Sequence, residues 1–343
     1  MSKLDLLMAA ELRESPDVVS RQSQFLTQPL RELSGYLVAK PPRVVVTCAR
    51  GSSAHAANFG KYLIERYLGI PVSAAAPSIT TVYNRRLHLE GQLFLAISQS
   101  GRSDDLVEAT VSARMAGALT AAIVNDIDSP LAAVCDMVLP MGAGEESSVA
   151  ATKSFIASLS ILLNLVAAWA DEQTLRSGLD RLPTRLGEAS QLDWTQAIGA
   201  ICQAKSLATL GRGPTLAVAQ EASLKLKEVC NIHAEAFSGA EFQHGPIALV
   251  SSSYPVLIFM PSDSSAGPLA ALATDLCRKQ AFVLTTGECP GAGFPLPVLP
   301  TDCAETDAIC LIQTFYGLVI QLATHRGLNI DQPRHLQKIT RTR

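Results

Sequence analysis

The chain has 343 residues, too many for one ordinary core and comfortable for two cores of about 150 residues each. It is 48% hydrophobic and 17% charged, with a net charge of −3. That balance describes a well-buried globular protein and excludes a disordered chain or one that coats nucleic acid; neither nucleic acid nor a membrane is an expected partner.

The first segment, MSKLDLLMAAELRESPDVV, carries Asp5, Glu11, Arg13 and Glu14 and lacks the apolar core of a signal peptide. It reads as a helical segment over 1–30 of a cytoplasmic protein. Short β-branched runs then recur, each followed by a Gly/Ser turn and an Ala/Leu-rich stretch of helical period, the pattern of βαβ units on a parallel sheet. Val44–Cys48, Leu93–Ser98, Ala121–Asn125 and Met137–Leu139 are the strands of a domain over 31–175. The uncharged stretch from Ser154 to Ala170 falls short of the roughly 20 residues of a spanning helix, and serines and Asn164 interrupt it, so a buried helix is expected.

A segment rich in Leu, Arg and Glu between about Asp171 and Trp194 reads as a helical connector, assigned to 176–195. Leu207–Leu210, Val256–Met260, Phe282–Thr285 and Val298–Leu299 are the strands of a second domain over 196–328. A tail over 329–343 holds Arg334, Lys338, Arg341 and Arg343. TCARGSSAHAANFGKYL from Thr47 and TLGRGPTLAVAQEASLKL from Thr209 share strand, Arg-Gly turn and following helix, which indicates an internal duplication offset by 162 residues. The expected fold class is α/β, two doubly wound domains in tandem with parallel sheets flanked by helices. Eight cysteines, from Cys48 to Cys310, show no C-x-x-C pair and no zinc-like spacing and read as small buried hydrophobes of a reduced compartment. No metal site is expected.

Three loops of the first half combine hydroxyls with glycine or alanine at strand-to-helix junctions: RGSSAH from Arg50, SQSGRSDD from Ser98 and SSVAATKSF from Ser147. Backbone N–H groups and the positive end of a helix dipole favour a phosphate there, and hydroxyls add donors without burying counter-charge. A single such loop serves as well to cap a helix; three together point to a ligand. The candidates are Ser52, Ser53, Ser98, Gln99, Ser100 and Ser103. With neither G-x-x-x-x-G-K-[ST] nor G-x-G-x-x-G present, a small phosphorylated metabolite is favoured over a nucleotide. Arg50 and Arg102 could pair with the phosphate or stand in solvent, and both are left unassigned.

In the second half, Glu221, Lys225 and Glu228 stand at spacing i, i+4, i+7, on one face of a helix. Such a stripe is ordinarily solvated. Here it runs into NIHAEAFSGAEFQHGP, where His233, Glu235, Glu241 and His244 crowd what reads as a Gly-containing loop. Aldose–ketose isomerisation moves a proton between C1 and C2 and needs one carboxylate of adjustable pKa. Ring opening needs a proton shuttle suited to histidine, and a lysine can capture the carbonyl as an imine. Glu228, His244 and a lysine would suffice.

SQSGRS, VAATKSF, GRGPTLAVAQEASLKLKE, HAEAFSGAEFQHGP and DQPRHLQKITRT together resemble the isomerase half of glucosamine-6-phosphate synthase and its deaminase relatives, members of the SIS-domain family. The resemblance spans nearly the whole chain. It implies two flavodoxin-like SIS domains, a homodimer, a sugar phosphate bound in the first domain by Ser53, Ser98, Gln99, Ser100 and Ser103 with Val149 beside them, and no cofactor. It implies further that Glu228 transfers the C1–C2 proton with Lys225 as its helix neighbour. By the same resemblance His244 would open the ring across the dimer interface, and Lys338, on a tail closing the active site, would form an imine with the open-chain sugar. Two positions depart from the pattern: Ala151 stands where the synthase has a serine, and Arg50 replaces a cysteine.

The synthase also begins with a glutamine-hydrolysing domain whose nucleophile is an N-terminal cysteine, whereas here the second residue is Ser2. The expected activity is accordingly release of ammonia: conversion of glucosamine 6-phosphate to fructose 6-phosphate. The competing readings are a deglycase or deaminase of another amino sugar phosphate, such as a fructosamine or galactosamine phosphate, and a non-catalytic sugar-phosphate sensor.

Overall fold

The computed structural model describes residues 6–338. Ser2, Asp5, Arg341 and Arg343 lie outside the described residues, as does the end of the tail from 339 onward. The chain packs into two units, each built on its own five-stranded parallel sheet.

The first unit comprises 17–146, 153–179 and 337–338. Helices α1 (Leu7–Arg21, whose last turns belong here) and α2 (Ser23–Ala39) precede β1 (Val45–Ala49), α3 (Ser52–Leu68), β2 (Val72–Ala74) and the short α4 (Ser78–Thr81). Then come β3 (Leu93–Ser98), α5 (Asp104–Met115), β4 (Leu119–Val124), α6 (Pro130–Val134), β5 (Met137–Pro140) and α7 (Lys153–Trp169). The strand order is β2-β1-β3-β4-β5. Helices cover both faces of the sheet, so every residue of the run LFLAIS in β3 is buried and the strand reads as continuous apolar sequence. Leu106 and Ala109 of α5 pack on Phe94, Ala96, Ala122 and Val124 on one face. Elsewhere in the unit α3 meets α7, whose side chains are nearly all buried, and a Cβ at Gly60 would come within 2.9 Å of Leu162.

The second unit comprises 6–16, 147–152 and 180–336. It contains the latter part of α8 (Gln173–Ala189), then α9 (Ile198–Ile201), β6 (Ser206–Gly211), α10 (Pro214–Cys230), β7 (His233–Ser238) and α11 (Gly239–Phe242). β8 (Pro255–Ile258), α12 (Ala266–Arg278), β9 (Phe282–Thr286), β10 (Phe294–Leu296) and α13 (Ala304–His325) follow. Its strand order, β7-β6-β8-β9-β10, repeats the winding of the first sheet. The registers repeat too: Thr47 pairs with Leu95 and Ala74, and Thr209 pairs with Leu257 and Ala236, each residue 162 positions after its counterpart. Leu210, Val256, Ile258, Leu269 and Leu272 form one side of the core. On the other, α10 packs on α13, and Phe315 meets Phe259 edge-on at 5.7 Å. The 22 residues of α13 are long and apolar enough to cross a membrane, but 78% of its apolar window is buried within the protein, as befits a core helix. The carboxylate of Asp331 caps the other end of the chain, accepting from the N–H groups of Leu7 (3.0 Å) and Met8 (2.9 Å) at the start of α1.

Seven of the expected strands form, with ends within two residues of the sequence reading. The eighth does not: Val298–Leu299 is irregular, and the edge strand β10 lies earlier, at Phe294–Leu296, where its Pro295 is tolerated because only one side of the strand is paired. Two further strands were not anticipated. β2 is three residues long, and β7 is HAEAFS, which reads as loop because of its charged residues. The eight cysteines are all free, and burial first among the causes pushes the thiols of Cys48, Cys135, Cys230 and Cys310 up to about 12.

Candidate functional site

In the first unit the strand order reverses direction between β1 and β3, the switch point at whose carboxyl ends parallel sheets form a crevice. Ala49 pairs with Ile97 at those ends, so the turn bearing Ser52 and Ser53 stands beside the turn bearing Ser98, Gln99, Ser100 and Ser103. The buried Ser98 hydroxyl accepts from the Gly101 N–H at 3.1 Å, and the Ser100 hydroxyl accepts from the Arg102 N–H at 3.3 Å. Both hydroxyls are thereby left with a proton to donate. Gly101 has φ +62°, and a Cβ there would lie 2.1 Å from Ser129 Oγ, so only glycine fits the turn. Ser103 is the N-cap residue of α5, yet its side chain makes no capping hydrogen bond. The two arginines left unassigned have carboxylate partners. Arg50 holds Asp105 at 2.7 Å and Arg102 holds Asp126 at 2.7 Å. By matching the buried charge of Asp105 in the first turn of α5, Arg50 leaves that helix end favourable to an anion.

The third hydroxyl loop belongs to the second unit. Residues 147–152 pack with the second unit, where the Val149 N–H donates to the Asp331 carbonyl at 3.2 Å and Glu11 accepts from the N–H groups of Ser147 and Ser148 at 2.5 and 3.0 Å. Glu146, the residue before the loop, belongs to the first unit. Fully buried, it accepts from Ser154 N–H at 3.1 Å, Ser154 Oγ at 2.7 Å and Lys338 Nζ at 3.1 Å. Lys338 itself keeps 26% of its side chain exposed.

In the second unit the stripe on α10 is not solvated. Lys225 is fully buried, with Nζ 2.5 Å from Glu228 Oε2 and 3.2 Å from Glu221 Oε1. Tyr316 donates to Glu221 Oε1 at 3.1 Å. Glu228 alone faces outward, with 21% of its side chain exposed. Burial pulls the pKa of Lys225 down, but the charges of Glu221 and Glu228 and their hydrogen bonds outweigh it and hold the ammonium above the ordinary lysine range. Glu228 is thus a carboxylate whose cationic partner does not come and go near neutral pH.

His244 lies elsewhere. NIHAEAFSGAEFQHGP is not one loop: β7 occupies His233–Ser238, α11 follows, and the exposed His244 stands in the turn after it. Because α10 runs back across the sheet, Glu228 comes about 21 Å of helix after Pro214, at the edge where β7 begins. His244 follows the far end of that strand, about 20 Å of chain at 3.4 Å per residue. The second unit therefore joins Lys225 to Glu228 and leaves His244 apart from them. Sequence reasoning passed over Glu146, Glu11, Asp331 and Tyr316. The first is a carboxylate in a Gly/Glu/Ser loop, and the others sit in helices or turns whose partners are distant in sequence, so no local spacing marks them.

The SIS domain family matches the chain over residues 38–168 and 200–284. The chain is 35% identical over 317 residues to glutamine–fructose-6-phosphate aminotransferase [isomerizing] from Symbiobacterium thermophilum, covering 86% of this chain and 51% of the relative. It spans about half the length of the curated relatives it matches. Among solved structures, a "putative phosphosugar isomerase" from Silicibacter pomeroyi DSS-3 is 42% identical, with TM-score 0.91 over 95% of this chain and 100% of the other. Glucosamine-6-phosphate deaminase from Thermotoga maritima shares the fold at 23% identity, with TM-score 0.74 over 96% of this chain and 100% of the other. With two sheets of the same winding, hydroxyl-lined turns at the switch point of the first, and this match across both, the chain belongs to the SIS domain family.

Proposed function

We propose that the chain is a phosphosugar isomerase that releases ammonia from an amino sugar phosphate, converting glucosamine 6-phosphate and water to fructose 6-phosphate and ammonia. The observation that carries the reading is Glu228: a half-open carboxylate pinned at 2.5 Å by a lysine that is itself wholly buried. A charge arranged this way is ready to accept and return a carbon-bound proton.

In this reading the phosphate rests on Ser52, Ser53, Ser98, Gln99, Ser100 and Ser103, and Val149 contacts the sugar. Glu228 takes the C2 proton of the open-chain aldose and returns it to C1, turning the amine into a ketimine. Lys338 exchanges with the imine nitrogen and expels ammonia; water then cleaves the lysine imine to give the ketose. Water is in large excess over ammonia, which favours the hydrolytic direction. Ring opening falls to His244 of a second copy in a homodimer, a role supported by the separation of His244 and Glu228 along the second sheet. The family membership and the names of the relatives, an aminotransferase acting on fructose 6-phosphate and a phosphosugar isomerase, support the substrate class.

Incubation with glucosamine 6-phosphate should yield ammonia and fructose 6-phosphate in equal amounts. A folded preparation that binds fructose 6-phosphate and yields no ammonia contradicts the proposal. Ala151, in place of the serine of the synthase pattern, favours one second reading, a deglycase for a bulkier N-linked sugar phosphate. A higher kcat/KM for a fructosamine phosphate than for glucosamine 6-phosphate would select it.

A further inference from the structure

In the second unit a pocket opens one strand pair beyond the point that corresponds to the first unit's hydroxyl-lined crevice. Leu95 and Leu257 are counterparts by register, so Ser98, Gln99, Ser100 and Ser103 correspond to Met260, Pro261, Ser262 and Ser265. The second unit has a cavity of about 270 Å3 between the carboxyl ends of β8 and β9, walled by Met260, Pro261, Ser262, Gly287, Glu288 and Arg185. We propose that this cavity is a binding site for a small organic molecule without a phosphate: one with an apolar body, an oxygen that accepts a hydrogen bond, and an amine or hydroxyl that donates one.

The chemistry of the wall selects that class. Several donors that a phosphate would use are spent internally or missing. Pro261 has no N–H, and the Met260 N–H donates to Thr286 Oγ1 at 2.8 Å. The Ser262 hydroxyl donates to Asp307 at 2.6 Å and the Ser265 hydroxyl to Asp263 at 2.5 Å. Two carboxylates, Asp307 and Glu288, line the cavity against one cation, Arg185, and that cation is already held by Asp307 at 2.8 Å. A dianion entering here meets net negative charge. Within the Arg185 guanidinium, Nε is buried without a hydrogen-bond partner, with Asp302 Oδ2 4.0 Å away. Such a group calls for an acceptor. Glu288 is exposed and offers an acceptor in return, while Leu299 and Leu311 supply apolar surface. Glu228 and Lys225 stand at the opposite, amino edge of the same sheet, so the cavity is separate from the acid–base set and the inference does not rest on the proposed activity.

The test uses tyramine as probe, since it combines a single ring, a phenol oxygen and an ammonium, with O-phosphotyramine as its anionic counterpart. Calorimetry on the full chain should give one saturable tyramine site per chain and no O-phosphotyramine binding. A266W, which fills the cavity from the first turn of α12, should abolish binding, and E288Q should weaken it about tenfold. Unchanged fructose 6-phosphate binding and melting temperature would show that both variants fold. Absence of tyramine binding to the wild type at millimolar concentration, binding that survives in a folded A266W chain, or equal binding of the phosphorylated probe would each overturn the proposal.

Discussion

Lys225 is held where an ammonium has no water, and the two carboxylates around it make that tolerable. Removing one partner of a buried ion pair leaves the other charge uncompensated, which costs about 3–5 kcal/mol. K225M, which strands Glu221 beside Tyr316, should lower the unfolding free energy by about that amount in urea titrations. Because the folded pKa of Lys225 lies above the ordinary value near ~10.4, its stabilisation is complete below that value and fades only as pH rises past it. The difference between wild type and K225M should therefore stay level between about pH 6 and pH 9 and shrink only in stronger alkali. Ser103 behaves differently. As its hydroxyl caps nothing, S103A should leave stability within about 0.5 kcal/mol, while the loss of a charge-assisted hydrogen bond should weaken fructose 6-phosphate binding about tenfold. A residue whose work was to cap α5 would show the reverse.

At the scale of elements, the turn after β3 is the part of the proposed phosphate site most sensitive to backbone geometry. G101A forces a positive φ on an L-residue and drives its Cβ into Ser129; the expected loss is about 1–3 kcal/mol of stability, with KM for the sugar phosphate raised more than kcat falls. That turn was legible in the sequence because β3, covered on both faces, is an unbroken apolar run ending in a cluster of hydroxyls. The edge strand β7 was not. HAEAFS alternates, but its outward positions carry His233 and Glu235, and the charges disguised a strand paired on one side only. The Glu221–Lys225–Glu228 stripe could be read as one helix face, yet its burial depends on α13, nearly a hundred residues later. Lys338 was singled out through resemblance, whereas its partner Glu146 lies 192 positions away, a contact that no local pattern encodes.

Across the whole molecule, one duplicated sheet carries two chemistries. The first copy keeps hydroxyls at its switch point, and the second keeps a pocket between β8 and β9 and carries the proposed acid–base residues on the helix that leaves β6. In the proposed homodimer, chains carrying E228Q and chains carrying H244A are each inactive alone. Mixed, they should recover roughly a quarter of wild-type activity, because half of randomly paired dimers are hybrids with one intact site. If His244 served the Glu228 of its own chain, mixing would recover nothing.

The proposed proton transfer by Glu228 is open to direct measurement. In deuterium oxide, fructose 6-phosphate incubated with the wild-type chain should acquire deuterium at C1, followed by NMR, and the E228Q chain should bind the sugar phosphate equally well but exchange more than a hundredfold more slowly. An E228Q chain that exchanged at the wild-type rate would contradict it.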